Sequence, residues 1–232
     1  MLPSLTQPEW QAVALSVQVS VWATLISLPF GIAVAWVLAR KRFWGHGMLN
    51  GLVHLPLILP PVVTGYLLLL TFGRKGVIGG FLEQTLGLVL AFRWTGAALA
   101  AAVMAFPLLV RAIRLAIEAV DPKLEQAAAT LGASPVWVFV TVTLPLILPG
   151  VLVGAILGFA KAMGEFGATI TFVASIPGQT QTLPSAIYAY LQVPGGEAAA
   201  WRLVLISVGV ALTALALSEV LGRAVARKIA GR

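Results

Sequence analysis

The chain has 232 residues, of which 59% are hydrophobic and 10% charged, with a mean hydropathy of +0.98; soluble domains carry about 25% charged residues, so a water-soluble enzyme is excluded first. Lysine and arginine outnumber aspartate and glutamate 15 to 8, but the charges form short clusters between long uncharged runs instead of an interleaved polar surface, which excludes nucleic-acid binding. Cysteine is absent, so neither a disulfide framework nor a thiolate metal site exists.

Residues 1–9 contain no lysine or arginine. They lack the positive start of a cleaved signal peptide, and the first apolar run is expected to stay in the protein. A helix crosses the roughly 30 Å hydrocarbon core with about 20 residues, and five runs reach that length. The first, residues 10–39, holds 30 uncharged residues and stops at Arg40-Lys41-Arg42. At about 1.5 Å per residue it measures about 45 Å, with room for tilt or a kink at Pro29. The second, 48–72, contains Pro56, Pro60 and Pro61, which remove backbone donors and are expected to bend or break it near its middle. Residues 77–91, with Glu83, Gln84 and flanking glycines, are expected to form an outer loop with a short surface helix. The third run, 87–110, is interrupted by Arg93, so its dependable part is 94–110. Phe92 and Trp94 are placed like an interface belt, and Arg111 and Arg114 close the run. The fourth crossing is expected at 144–163, inside the charge-free stretch 126–160 and its continuation. Residues 169–200 are uncharged except Glu197 and rich in Gly, Pro, Thr and Gln, which suits a re-entrant loop or short broken helices. The fifth run, 203–221, carries only Glu219 and is followed by Arg223, Arg227, Lys228 and Arg232.

These runs predict an all-α integral membrane protein of one domain, 1–232, with five spans. An odd number puts the termini on opposite sides. Arg40, Lys41, Arg42, Arg111, Arg114, Lys123, Arg223, Arg227, Lys228 and Arg232 fall on one side, ten in all, against Arg74, Lys75, Arg93 and Arg202, four, on the other. The excess places the N-terminus outside and the C-terminus in the cytoplasm.

The connection from the third to the fourth span, residues 121–143, reads as helix, break, helix. Asp121-Pro122 starts a short helix, Gly132 stops it, Ser134-Pro135 restarts the chain, and Leu144-Pro145 precedes the membrane. Ala127, Ala128 and Ala129 would let another surface approach the backbone closely. Periodicity alone leaves an ordinary amphipathic connector open.

Gln126-Ala127-Ala128, three residues, Gly132, nine residues, Val142, one residue and Leu144-Pro145 resemble the cytoplasmic signature E-A-A, Gly, Ile, Leu-Pro of the membrane subunits of bacterial ABC importers. Gln126 stands where that family has Glu, with Glu125 just before it, and Val142 replaces Ile; either Glu125 or Gln126 could make the polar contact. A narrower resemblance, to permeases of molybdate importers, rests on residues 164–170 (GEFGATI), 176–185 (IPGQTQTLPS) and 193–196 (VPGG). Sulfate permeases are similar through the first two blocks, and tungstate is not separable from molybdate on these residues.

The resemblance implies a homodimer in the bacterial inner membrane, two cytoplasmic ATPase subunits gripping the connection, and an extracytoplasmic oxyanion-binding protein. Glu125, Gln126, Ala127, Ala128, Leu131, Gly132, Leu144 and Pro145 are then the ATPase-coupling residues, with Leu131 and the alanines seated in a groove of the ATPase. Independently, the chain has no G-x-x-x-x-G-K-[ST] motif, so ATP hydrolysis is expected in a partner and the chain is not itself an enzyme.

Lys161 and Glu165 lie near the outer end of the fourth span and, at i,i+4, would share a helix face. Either they neutralise each other, or Lys161 attracts the oxyanion while Glu165 orients it or belongs to a gate. Thr169, Thr171, Thr182 and Ser185 supply hydroxyls that could line a passage or satisfy loop backbone. His46 and His54, eight apart with no neighbouring carboxylate, make no metal site, and no cofactor is expected. Gly150, Gly154 and Gly158 form a stripe allowing close helix packing, across the dimer or otherwise. A membrane-embedded enzyme lacks a catalytic set here. An ion-coupled secondary transporter usually shows internal repeats, and none is evident.

Overall fold

The computed structural model describes residues 5–229, with side chains to residue 224. Residues 1–4 and Arg232 lie outside the described residues, and of Arg227 and Lys228 only the backbone is described. The described residues contain helices and no strand: α1 (Gln7–Arg40), α2 (His46–Ile58), α3 (Pro61–Phe72), α4 (Val77–Leu86), α5 (Trp94–Glu118), α6 (Pro122–Thr130), α7 (Pro135–Val138), a π-helical turn (Phe139–Thr143), α8 (Leu144–Met163), α9 (Gly167–Val173), α10 (Leu183–Leu191) and α11 (Glu197–Ile229).

Helix α1 starts in a capping box: Thr6 N–H donates to Glu9 Oε2 at 2.7 Å, and Pro8 sits in the first turn. It runs through Pro29 without a break, although the proline has no N–H to donate. Its buried face is a stripe of small residues, including Ala12, Ser16, Val19, Ser20, Ala23, Ser27, Gly31 and Ala35. Trp22, Leu25, Ile26 and Phe30 on the other face are exposed, an arrangement that suits lipid and not water.

The centre of the molecule is α5, which packs against α1, α2, α8 and α9. Its alanines, Ala97, Ala98, Ala100, Ala101 and Ala105, are buried with Met104, Phe172 and Val173 in one core cluster. Farther along, Leu109, Val110, Ile113 and Ile117 join Leu38, Ile147 and Val151 in a second. This apolar stripe continues past Arg111 and Arg114, which is why α5 extends to Glu118 instead of closing at the arginines. Arg111 faces outward, and Arg114 Nε donates to Glu118 Oε1 at 2.7 Å.

Helices long and apolar enough to cross a membrane are Gln7–Arg40, Trp94–Glu118, the continuous run Pro135–Met163 and Glu197–Ala224. The expected break in the second run is present: α2 and α3 meet at Leu59-Pro60 with a bend of 114°. Among the described residues there are thus four spans, or five if the bent pair counts as one. Helix α4 is the short helix expected after the second run. Of the short broken helices expected within 169–200, α10 lies inside that segment and α9 begins two residues ahead of it; Thr180 Oγ1 donates toward Val173 O and Ala174 O and accepts from Ile176 N–H, fixing the turn between them.

The glycine stripe of α8 is spent inside the chain. A Cβ on Gly150 would fall on Ala116 of α5, one on Gly154 would lie 3.3 Å from Ala112 Cβ, and one on Gly158 would lie 3.4 Å from Leu109 Cδ1. Close packing was expected, and its partner is α5 of the same chain.

Candidate coupling surface and intramembrane ion pair

Helix α6 forms for local reasons. Asp121 caps it, its Oδ1 accepting from Lys123 N–H at 2.9 Å, and Pro122 occupies the first position. Its exit is a Schellman motif: Ala133 N–H reaches Ala128 O at 3.3 Å and Gly132 N–H reaches Ala129 O at 3.0 Å. Gly132 has φ +86°, a conformation that an L-residue enters at a cost of about 1–2 kcal/mol. Ser134 then caps α7, accepting from Trp137 N–H at 3.3 Å.

No residue of α6 is buried. Ala127 is exposed and Ala128 half-buried, Leu131 is 89% exposed, and Leu124, Val136, Trp137 and Val140 are exposed alongside. Together they form an exposed apolar surface spread over α6, α7 and the π-helical turn, with small side chains on α6.

Glu125 and Gln126, equivalent candidates by sequence, are separated by the structure. Glu125 is committed inside the chain: Arg40 Nε lies 3.1 Å from its Oε2, Arg40 Nη2 donates to Oε1 at 3.2 Å, and Thr143 Oγ1 donates to Oε1 at 2.8 Å. Gln126 is exposed. The π-helical turn brings Thr143 to this point. Pro145 has no N–H to direct at the Thr141 carbonyl, and just before it Leu144 N–H reaches back to Phe139 O, a wider turn that absorbs the mismatch. Leu144-Pro145 therefore does not interrupt the chain ahead of the span: the helix is continuous from Pro135 to Met163. Leu144 packs against the second core cluster, and Pro145 is exposed.

At the far end of α8, Lys161 Nζ lies 3.1 Å from Glu165 Oε2; the lysine side chain is 35% exposed and the glutamate 2%. The two do not share a helix face, because α8 ends at Met163 and Glu165 sits in the link to α9. The link bends the carboxylate back toward the lysine and lets Oε1 accept from Ala168 N–H at 3.0 Å, so one carboxylate closes an ion pair and caps the first turn of α9.

The nearby hydroxyls are satisfied locally. Thr169 Oγ1 donates to Phe166 O at 2.9 Å, Thr171 Oγ1 to Gly167 O at 2.8 Å, and Ser185 Oγ to Thr182 O at 2.9 Å; Thr182 Oγ1 lies 3.4 Å from Ser185 Oγ. Thr169, Thr182 and Ser185 are buried. His46 Nε2 and His54 Nδ1 meet backbone carbonyls, Leu38 O at 3.0 Å and Asn50 O at 2.8 Å.

Two long-range ion pairs among the described residues escape sequence reasoning. Arg40 and Glu125 are 85 positions apart, and Arg202 Nε donates to the buried Glu9 Oε1, 193 positions away, at 3.1 Å. In sequence these arginines register only as charges marking a side of the membrane. No local signal names their partners.

Residues 27–227 match the family described as binding-protein-dependent transport system inner membrane component. The chain is 60% identical over 228 residues to the molybdenum transport system permease protein ModB of Escherichia coli (strain K12), covering 98% of this chain and 99% of the relative. It is 56% identical over 221 residues to ModB of Haemophilus influenzae, covering 95% and 96%. Among solved structures, a bacterial alginate ABC transporter in complex with an alginate pentasaccharide-bound periplasmic protein is similar with a TM-score of 0.72 at 18% identity, over 96% of this chain and 81% of that one.

Proposed function

The chain belongs to the family of binding-protein-dependent transport system inner membrane components, and from that premise we propose that it is the membrane-spanning permease of an ATP-driven molybdate importer. The observation that carries the substrate is the 60% identity to a molybdenum transport permease over nearly the whole of both chains. Its place is the bacterial inner membrane, and its role is transport, with ATP hydrolysis assigned to a separate subunit.

In this reading the chain acts as a single domain and a homodimer. Its N-terminus is outside and its C-terminus inside, two ATPase subunits bind the 121–143 segment from the cytoplasm, and an extracytoplasmic oxyanion-binding protein delivers cargo. The exposed Gln126, Ala127, Leu131 and Gly132 would meet the ATPase, while Glu125, held by Arg40, would shape the segment from behind. Closure of the ATPases moves α6 and biases the permease between inward-open and outward-open states. Lys161 is the pathway group for an anion, with Glu165 as the counter-ion it would exchange for cargo. The 3.1 Å pair supports their mutual neutralisation at rest.

The test is reconstitution in proteoliposomes with the cognate ATPase and binding protein. ATP-dependent uptake of molybdate, with ATP hydrolysis stimulated by molybdate-loaded binding protein, is expected. Uptake driven by an ion gradient without ATP would overturn the importer reading, and stimulation by sulfate alone would move the substrate to sulfate.

A further inference from the structure

Helix α6 has a mechanical difficulty. It contributes no residue to any buried core, yet a partner that moves it must move the spans with it. Beyond its two chain connections, at Val120-Asp121 and at Gly132-Ala133, its contacts are chiefly with α7 and the π-helical turn, which leaves it free to swivel relative to α1 and α5 unless it is tied to them.

Arg40 meets this difficulty. It is the last residue of α1, where a cation is favoured by the helix dipole. Its Nη2 donates to Val120 O at 3.0 Å, in the connection from α5, and its guanidinium clasps Glu125 in the middle of α6. Glu125 in turn accepts from Thr143 Oγ1, one residue before α8. The Arg40 side chain is 15% exposed and that of Glu125 19%, so the pair is shielded and screened less than a surface pair. Val120 is itself packed in the core cluster with Leu38, Ile117 and Ile147.

We propose that Arg40 is a positioning residue for energy coupling: through Glu125 it locks α6 to the ends of α1, α5 and α8, so that these parts move as one body when a nucleotide-driven partner displaces α6. The contact facing the partner is made by others; Arg40 converts the push into motion of the spans. This inference rests on the importer reading given above.

The test uses the full transporter with its ATPase and molybdate-loaded binding protein. Arg40→Gln is expected to co-purify with the ATPase in wild-type amount while stimulation of ATP hydrolysis by the loaded binding protein falls by about fivefold or more, the low end of ordinary coupling between sites. Arg40→Lys should recover part of the stimulation, and Arg40→Glu combined with Glu125→Arg should recover more than either change alone. Because the chain has no cysteine, spin labels at Arg42→Cys and Lys123→Cys report directly on the join. Their separation should stay the same with and without ATP in the wild type and should broaden in Arg40→Gln. Full stimulation in Arg40→Gln, or a label separation in the wild type that changes with nucleotide, overturns the proposal. If Arg40→Gln fails to insert, Thr143→Val, which removes one hydroxyl and leaves the ion pair, together with the wild-type label distances, decides the matter: a normal Thr143→Val with a nucleotide-dependent separation also overturns it. Absence of stimulation in the wild-type complex is a separate outcome. It defeats the importer reading and the proposal with it.

Discussion

Gly132 offers the sharpest perturbation, because its cost is one of backbone alone. A Cβ there would meet nothing within 4 Å, and φ is +86°. Replacing it with an ordinary L-residue therefore costs about 1–2 kcal/mol of left-handed strain and no clash. The strain is relieved by undoing the two bonds to Ala128 O and Ala129 O that end α6. At about 1–2 kcal/mol the population of the docking-competent exit falls by roughly 5–30-fold, while the spans, held by the α1, α5 and α8 packing, are untouched. Gly132→Leu should insert normally, retain roughly 5–30-fold less ATPase on co-purification and lose uptake. Gly132→Ala should behave alike for the same backbone reason. Gly132→Asn should stay near wild type, because asparagine tolerates the left-handed region. Normal ATPase retention with normal uptake in the leucine variant would refute the reasoning, and equal losses for asparagine and leucine would show that the backbone angle is not the cause.

Two further outcomes follow from the geometry of α8. Lys161→Gln leaves the buried Glu165 carboxylate without its counter-ion; because the lysine side chain is 35% exposed, the loss should fall below the roughly 3–5 kcal/mol of a fully buried pair. If Lys161 also attracts the anion, uptake should fall more than complex assembly, and adding Glu165→Gln should restore assembly without uptake; restoration of both would make the pair purely structural. Gly150→Val should lower the melting temperature of the detergent-solubilised protein, since its Cβ would fall on Ala116 and overpacking costs about 1–3 kcal/mol. An unchanged melting temperature would contradict the close α5 to α8 contact.

What could be read from the sequence is what local chemistry decides. Asp121-Pro122 and Gly132 mark the ends of α6 because capping oxygen, fixed φ and left-handed φ are properties of single residues. The fourth crossing, expected over 144–163, ends with α8 at Met163, but the continuous helix starts earlier, at Pro135, because an uncharged stretch does not mark where a helix begins. The prolines at 60 and 61 announced a break, but not its 114° angle, nor the close approach of Gly65 to the Ala168 backbone where α3 packs on α9. Arg111 and Arg114 suggested an end to α5 because charges mark interfaces, whereas the helix obeys its apolar stripe and continues to Glu118. The placement of Glu165 outside α8 depends on where Gly164 terminates the helix, so i,i+4 spacing named the ion pair but not its geometry. The partners of Arg40 and Arg202 were out of reach because pairing across 85 and 193 positions is fixed by how the helices pack.

Both ends of α1 are fastened by charge: Glu9 to Arg202 of α11 and Arg40 to Glu125 of α6. A 34-residue rod about 51 Å long, pinned at each tip, cannot slide along its own axis like a piston. An axial slip of one helical turn, about 5.4 Å, would tear both fastenings at once. Motion that carries α11 and α6 along with α1 leaves both fastenings whole.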